Sequence, residues 1–245
     1  MDESLAFSLS LDLMFNGQDL DYCERPIVID KIEKMTTGMH LPKDARIGVI
    51  GPGGGRLLKT MLDKGYEVEA YEGRTECYDH IFNTLGTHPR LKLHTDKHLK
   101  DPIRIDKLRF DALICLDDLR AFREEEEWTS RIDKIINPKG YFLYSQVSNM
   151  LPKKKNKLPE FFELVENINV TKETAKSIKA AYFNLEQWEP ADDSMPMAKK
   201  TLNIMEQGQM IRRNIRSGMT IRYLVWRKKI TVKSPPPLKN DRSLL

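Results

Sequence analysis

The chain predicts an α/β fold, a parallel sheet wound with helices, on three observations in its first half. The first is a short apolar strand, Ile47, Val49 and Ile50, running straight into the glycine-rich loop Gly51-Pro-Gly-Gly-Gly55. The second is the stretch Arg56 to Lys64, which places Leu57, Leu58, Met61 and Leu62 on one helical face before Gly65 stops it. The third is a second apolar strand, Val68, Ala70 and Tyr71, that ends on Glu72. Strand, glycine loop, helix, strand and acid in this order form the opening half of a Rossmann-like nucleotide site. Loop glycines let the backbone turn sharply and approach a ligand beside a helix N-terminus. Glu72 follows Gly51 by about the 20 residues that separate such a loop from the acid on the ribose hydroxyls.

The remaining elements follow along the chain. Residues 1 to 40 open acidic, with Asp2, Glu3, Asp12, Asp19, Asp21 and Glu24, and pass into a helix over Ile27 to Met35 that leads to the first strand. Residues 75 to 86 read as a second helix, and Trp128 to Ile136 as part of a later one, with the Glu124 to Glu127 run at its solvated start. Pro152 and Pro159 bracket an exposed loop holding Lys153 to Lys155; Leu158 to Ile168 and Thr171 to Leu185 read as helices, and Trp188 to Pro196 as a loop. Met195, Met197, Met205 and Met210 could line a substrate or fill core gaps. The tail after Val232, with three successive prolines from Pro235, suits neither a helix nor a central strand.

The glycine spacing bears on which nucleotide is bound. A dinucleotide loop of the form G-x-G-x-x-G needs glycine or alanine at position 56, where this chain has Arg56. The loop instead fits G-x-G-x-G, and with it the chain resembles the class I S-adenosylmethionine-dependent methyltransferases. Leu91 to Asp96 is similar to that family's third strand with its terminal acid, and Phe110 to Phe122 to its fourth strand and following loop. Ile136 to Val147 looks like its proline-glycine turn and fifth strand, and Thr220 to Lys228 like its closing strand. The resemblance covers roughly residues 45 to 150 and the end. Val49 stands where the family usually carries an acid, and Pro52 and Gly54 replace the commoner residues of its loop.

That resemblance implies a doubly wound, mostly parallel seven-stranded sheet with an antiparallel last strand and a helical insertion after strand five. The parts would be cap helices over 1–40, a cofactor-binding core over 41–150, a substrate cap over 151–219, a closing strand over 220–232 and a tail over 233–245. S-adenosylmethionine would be the cofactor. Gly51, Gly53 and Gly55, with Pro52 between them, would line its amino-acid part. Glu72 would meet the ribose, with Gly73 and Arg74 following it; Asp96 and Lys97 would meet the adenine edge, and Leu116 with Asp117 the side nearest the methyl. Asp117 or Asp118 is a candidate to deprotonate an acceptor, or a cap for the next helix. The motifs for amino-group methylation of bases and for cytosine carbon-5 are absent.

Composition is compatible with this assignment. A chain of 245 residues with 40% hydrophobic content buries one sizeable α/β core with length to spare. No apolar run approaches the roughly 18 residues that span a bilayer, and no signal sequence opens the chain, so a cytoplasmic protein without membrane contact is expected. Cys23, Cys77 and Cys115 show no C-x-x-C spacing, and His88, His94 and His98 no ligand spacing to cysteine or acid, so no metal site is expected. The net charge of +4 is unevenly spread: from residue 195 onward twelve Lys and Arg face only Glu206 and Asp241. The clusters at 210–216 and 226–229 could meet nucleic-acid phosphates or an anionic substrate, or form a solvated face that balances the acidic remainder. Three readings stay open: a methyltransferase for a small-molecule or nucleic-acid acceptor, a methyltransferase-like binding or scaffold protein, and an NAD-linked enzyme.

Overall fold

The computed structural model describes residues 29–73, 75–95, 107–115, 128–147, 158–176 and 213–230. Helix α1 (Ile29–Gly38) leads into β1 (Arg46–Ile50), α2 (Arg56–Asp63), β2 (Glu67–Glu72), α3 (Thr75–Leu85) and β3 (Leu91–Thr95). Strand β4 (Phe110–Cys115), helix α4 (Trp128–Ile135), strand β5 (Ile136–Val147), the single turn α5 (Leu158–Phe161), β6 (Phe162–Asn169) and β7 (Ile221–Lys228) complete the set.

The strands form one seven-stranded sheet in the order β3-β2-β1-β4-β5-β7-β6. Neighbours from β3 to β5 run parallel, whereas β7 runs antiparallel to both β5 and β6, as expected of the closing strand. The order turns back on itself between β1 and β4, which opens a crevice at the carboxyl ends of those strands. Both faces are covered. On one, Ile32 and Met35 of α1, Leu57, Leu58 and Met61 of α2 and Ile81 of α3 pack on Ile47, Val49, Val68 and Ala70. On the other, Ile132 and Ile135 of α4 and Leu158 pack with Phe110, Leu113, Phe142 and Trp226. Lys228, at the far end of β7, reaches the carboxylate of Asp133 at 3.1 Å and donates to the carbonyls of Asp133 and Ile136, so the last turn of α4 is tied to the closing strand.

The helix expected over Leu158 to Ile168 is not formed: it stops at Phe161, and Phe162 to Asn169 is strand β6, an edge strand paired with β7 from Phe162↔Lys228 to Asn169↔Arg222. Apolar residues at 161, 162, 164, 165 and 168 suit either period, and the edge of β7 decides between them by offering a ladder of backbone partners, interrupted by one register shift between Leu164 and Glu166. The helix expected from Thr171 is present over 171–176, begun by Asn169, whose side-chain oxygen accepts from the Thr171 N–H at 3.0 Å; its expected continuation to Leu185 lies outside the described residues. So do the acidic opening, the 188–196 loop, the four candidate lining methionines and the tail after Val232.

A polar thread crosses the sheet on the α4 face. The Tyr71 hydroxyl donates to Glu69 Oε1 at 2.6 Å, the Arg46 guanidinium holds Glu69 Oε2, and His94 Nε2 lies 3.3 Å from Glu69 Oε1 while its ring stacks on Tyr71 with centroids 5.1 Å apart. Arg46 also lies over the Phe110 ring, and its backbone N–H donates to Asp111 at 2.9 Å, which accepts from Asn137 in turn. Burial pushes the Glu69 carboxyl upward, yet the hydrogen bonds from Arg46 and Tyr71 and the nearby positive charge outweigh it and hold the carboxyl below the ordinary range. Burial, and then the bond to Glu69, push the Tyr71 phenol well above its ordinary value. Gly48 makes the space: a Cβ there would stand 2.8 Å from Leu113 Cδ1 and 3.0 Å from Phe110 Cδ2.

Two outcomes follow. Gly48→Ala forces Phe110 and Leu113 aside and costs about 1–3 kcal/mol, read as a lower urea midpoint at unchanged slope. Because the folded Glu69 carboxyl titrates below its unfolded value of about 4.3, its contribution is present above that pH and is lost as pH falls through the lowered folded value. The Tm deficit of Glu69→Gln is therefore largest near neutrality and shrinks below about pH 4 in a thermal series.

Candidate functional site

The site is built by the register of β1 against β2. Ile50 lies beside Tyr71, so the chain leaves β1 where β2 is about to end, and the Gly51 N–H donates to the Tyr71 carbonyl at 2.9 Å. Gly51, Gly53 and Gly55 adopt φ of 64°, 58° and 82°, the left-handed region that side chains with a Cβ avoid. The Gly55 N–H closes the turn onto the Pro52 carbonyl at 3.1 Å, and the Gly55 carbonyl accepts the first helical bond of α2 from Lys59 at 3.0 Å. Gly55 is held twice over, since a Cβ there would also stand 2.9 Å from Ile81 Cγ1 of α3. At Gly54 a Cβ would meet nothing within 4 Å among the described residues.

Glu72, at the carboxyl end of β2, is 4% exposed, and its Oε2 accepts the Gly53 N–H at 3.1 Å across the loop. A buried carboxylate thus stands against a loop of left-handed glycines at the head of α2. Such a constellation fits a nucleoside bearing a charged chain: loop amides approach the chain closely, and a carboxylate accepts from vicinal hydroxyls. These residues fit S-adenosylmethionine at the loop and at the ribose.

Of the residues selected from sequence, Gly51, Pro52, Gly53, Gly55, Glu72 and Gly73 come together here. Arg74, Asp96, Lys97, Leu116, Asp117 and Asp118 lie outside the described residues. The strands that lead to five of them are in place, β3 beside β2 and β4 beside β1. Val49 is fully buried in the core beneath the loop, so no carboxylate stands at that position.

Arg46, Glu69, Tyr71 and His94 were not among the residues selected from sequence; Arg46 and His94 reach Glu69 from neighbouring strands, and Tyr71 from two residues along β2. One signal was available: Glu69 lies between Val68 and Ala70 in a strand buried on both faces, where a carboxylate needs a cationic or hydroxyl partner. The expected basic region divides. Lys228 is engaged with α4, and Arg222 donates to Asn167 at 3.1 Å, whereas Arg213 and Arg216 are exposed. Cys77 and Cys115 are buried, Cys115 as an ordinary core side chain of β4. Among the described residues no three His, Cys, Asp or Glu are gathered as metal ligands, and no helix is long and apolar enough to cross a membrane.

No protein-family model matches the chain. A curated relative, the ubiquinone biosynthesis O-methyltransferase of Rickettsia bellii, is 23% identical over 189 residues, 67% of this chain and 77% of the relative. Among solved structures, an S-adenosylmethionine-dependent methyltransferase of Geobacter sulfurreducens in complex with S-adenosylhomocysteine superposes with a TM-score of 0.64 at 13% identity, over 90% of this chain and 98% of that one. A Thiobacillus denitrificans counterpart, also in complex with S-adenosylhomocysteine, gives 0.65 at 14% identity over 89% and 98%. By its strand order, its glycine loop and these likenesses, the chain has the fold of the class I, Rossmann-like S-adenosylmethionine-dependent methyltransferases.

Proposed function

We propose that this chain is an S-adenosylmethionine-dependent methyltransferase that methylates an oxygen of a small-molecule acceptor. The observation that carries the reading is the Glu72 carboxylate facing the Gly53 amide at the crevice between β1 and β4. The name of the Rickettsia bellii relative supports the activity and makes oxygen the first acceptor atom to test. When bound, the cofactor supplies a methyl group on a sulfonium, with a neutral thioether as leaving group.

The chain's own task is placement. Gly51, Gly53 and Gly55 offer backbone amides to the amino-acid part, and Glu72 accepts from the ribose hydroxyls, with Gly73 and Arg74 next to it. By the family resemblance, Asp96 and Lys97 serve the adenine edge, and Leu116 and Asp117 the methyl side. Asp117 or Asp118 is the candidate to take the acceptor's proton. Holding acceptor and methyl in line is worth about 7 kcal/mol or more of barrier, so placement can carry most of the catalysis. Nucleic acid is the alternative acceptor, supported by the basic C-terminal region with Arg213 and Arg216 exposed. The buried Val49 in place of an acid favours a second reading, a fold that binds the cofactor without turning it over.

Calorimetry with S-adenosylhomocysteine, S-adenosylmethionine and NADH, followed by methyl transfer from labelled cofactor to phenolic and catecholic acceptors and to RNA, separates these readings. Binding of the sulfur cofactors with label in a phenol is expected; binding without transfer to any acceptor supports the second reading, and no binding rejects both. Glu72→Ala removes a charge-assisted partner worth about 1.5–3 kcal/mol, so affinity for S-adenosylhomocysteine should fall at least about tenfold. Unchanged affinity would reject Glu72 as the ribose ligand.

A further inference from the structure

Strand alternation places Tyr71 and Glu72 on opposite faces of β2, and the peptide between them is where the polar thread and the nucleotide site meet. On the α4 face, the Tyr71 ring is 3% exposed and stacks on His94, and its hydroxyl donates to Glu69 at 2.6 Å. Glu69 is held in turn by Arg46. From the same residue, the backbone carbonyl accepts the Gly51 N–H at 2.9 Å, and the next side chain, Glu72, accepts the Gly53 N–H at 3.1 Å. Tyr71 is therefore anchored at the tip of its side chain while its flanking backbone supports both halves of the site.

We propose that Tyr71 is a positioning residue for the cofactor: its hydroxyl, locked onto Glu69, fixes the Tyr71–Glu72 peptide and so sets the distance between the glycine loop and the Glu72 carboxylate. Packing alone does not require this arrangement. Phenylalanine would fill the same apolar surroundings, Ile50, Phe110 and Leu113 among them, without requiring a partner for a hydroxyl. Nor does stability call for it, because a buried carboxylate with its cation gains little over well-packed apolar side chains. What the thread adds is direction. The hydroxyl fixes the ring along the strand, Arg46 fixes the carboxylate from β1, and the loop that leaves β1 must then meet β2 in one register. A pair of groups that must grip one ligand gains affinity when their spacing is set before the ligand arrives.

The inference rests on the cofactor reading above, and its test has a part that does not. In ligand-free protein, amide hydrogen exchange at Gly51 and Gly53 should speed up about threefold or more in Tyr71→Phe, while Leu224 and Val225 of β7 stay unchanged. In the same variant the S-adenosylhomocysteine Kd should rise about fivefold to tenfold, and the KM for S-adenosylmethionine should rise while kcat at saturation stays within about twofold. Glu69→Gln keeps an acceptor for the hydroxyl and should fall between wild type and Tyr71→Phe in exchange and in Kd, which also serves if Tyr71→Phe does not fold. Exchange at both glycines equal to wild type in either variant overturns the positioning role. Failure of wild type to bind S-adenosylhomocysteine overturns the cofactor reading instead, and the exchange result still decides the role of Tyr71.

Discussion

Glu69 is a carboxylate in the middle of a strand covered on both faces, and it has few ways to be stable there. An isolated charge in such a place costs several kcal/mol, so it must be met by partners from the strands on either side. Arg46 comes from β1 and His94 from β3, and both can reach Glu69 only if the three strands hold the observed register, while Tyr71, two residues on in β2, supplies a partner from the same strand. A shift by one residue would turn Glu69 away from Arg46 and His94 to the face packed by α1, α2 and α3. One interaction thereby fixes the alignment from which the loop, α2 and Glu72 all take their places.

The site inherits that alignment. Gly51 meets the Tyr71 carbonyl because Ile50 and Tyr71 are side by side, and Glu72 meets Gly53 because it is the next residue on β2. Gly55 caps α2 in the left-handed region, and Ile81 of α3 fills the place where its side chain would be. Among the described residues, the crevice beside β1 and β4 is thus framed by backbone and by the buried Glu72 carboxylate.

Much of the site was legible because it is local. Loop, helix and terminal acid lie within about twenty residues, and the glycine spacing together with Arg56 already pointed away from a dinucleotide. The thread through Glu69 was not legible, because Arg46 is 23 residues from Glu69 and Asp111 is 65 from Arg46. His94 was likewise passed over: it has no acid at ligand spacing in the chain, and the pairing of β3 with β2 alone brings it to Glu69.

By itself the sequence determined the α/β class, the first two strands and the residues of the glycine loop with its acid, since each of these depends on short-range period, turn chemistry and spacing, while β3 to β5 were expected from the family resemblance. Only the tertiary structure decided that Phe162 to Asn169 is an edge strand rather than a helix, because its apolar residues suit both periods and the partner that selects one, β7, arrives more than fifty residues later. It alone decided that Lys228, in a basic cluster, is engaged inside the fold, and that a tyrosine in an apolar strand stands beneath the site. Side-chain partners across a sheet are set by strand order, and strand order is a property of the folded chain.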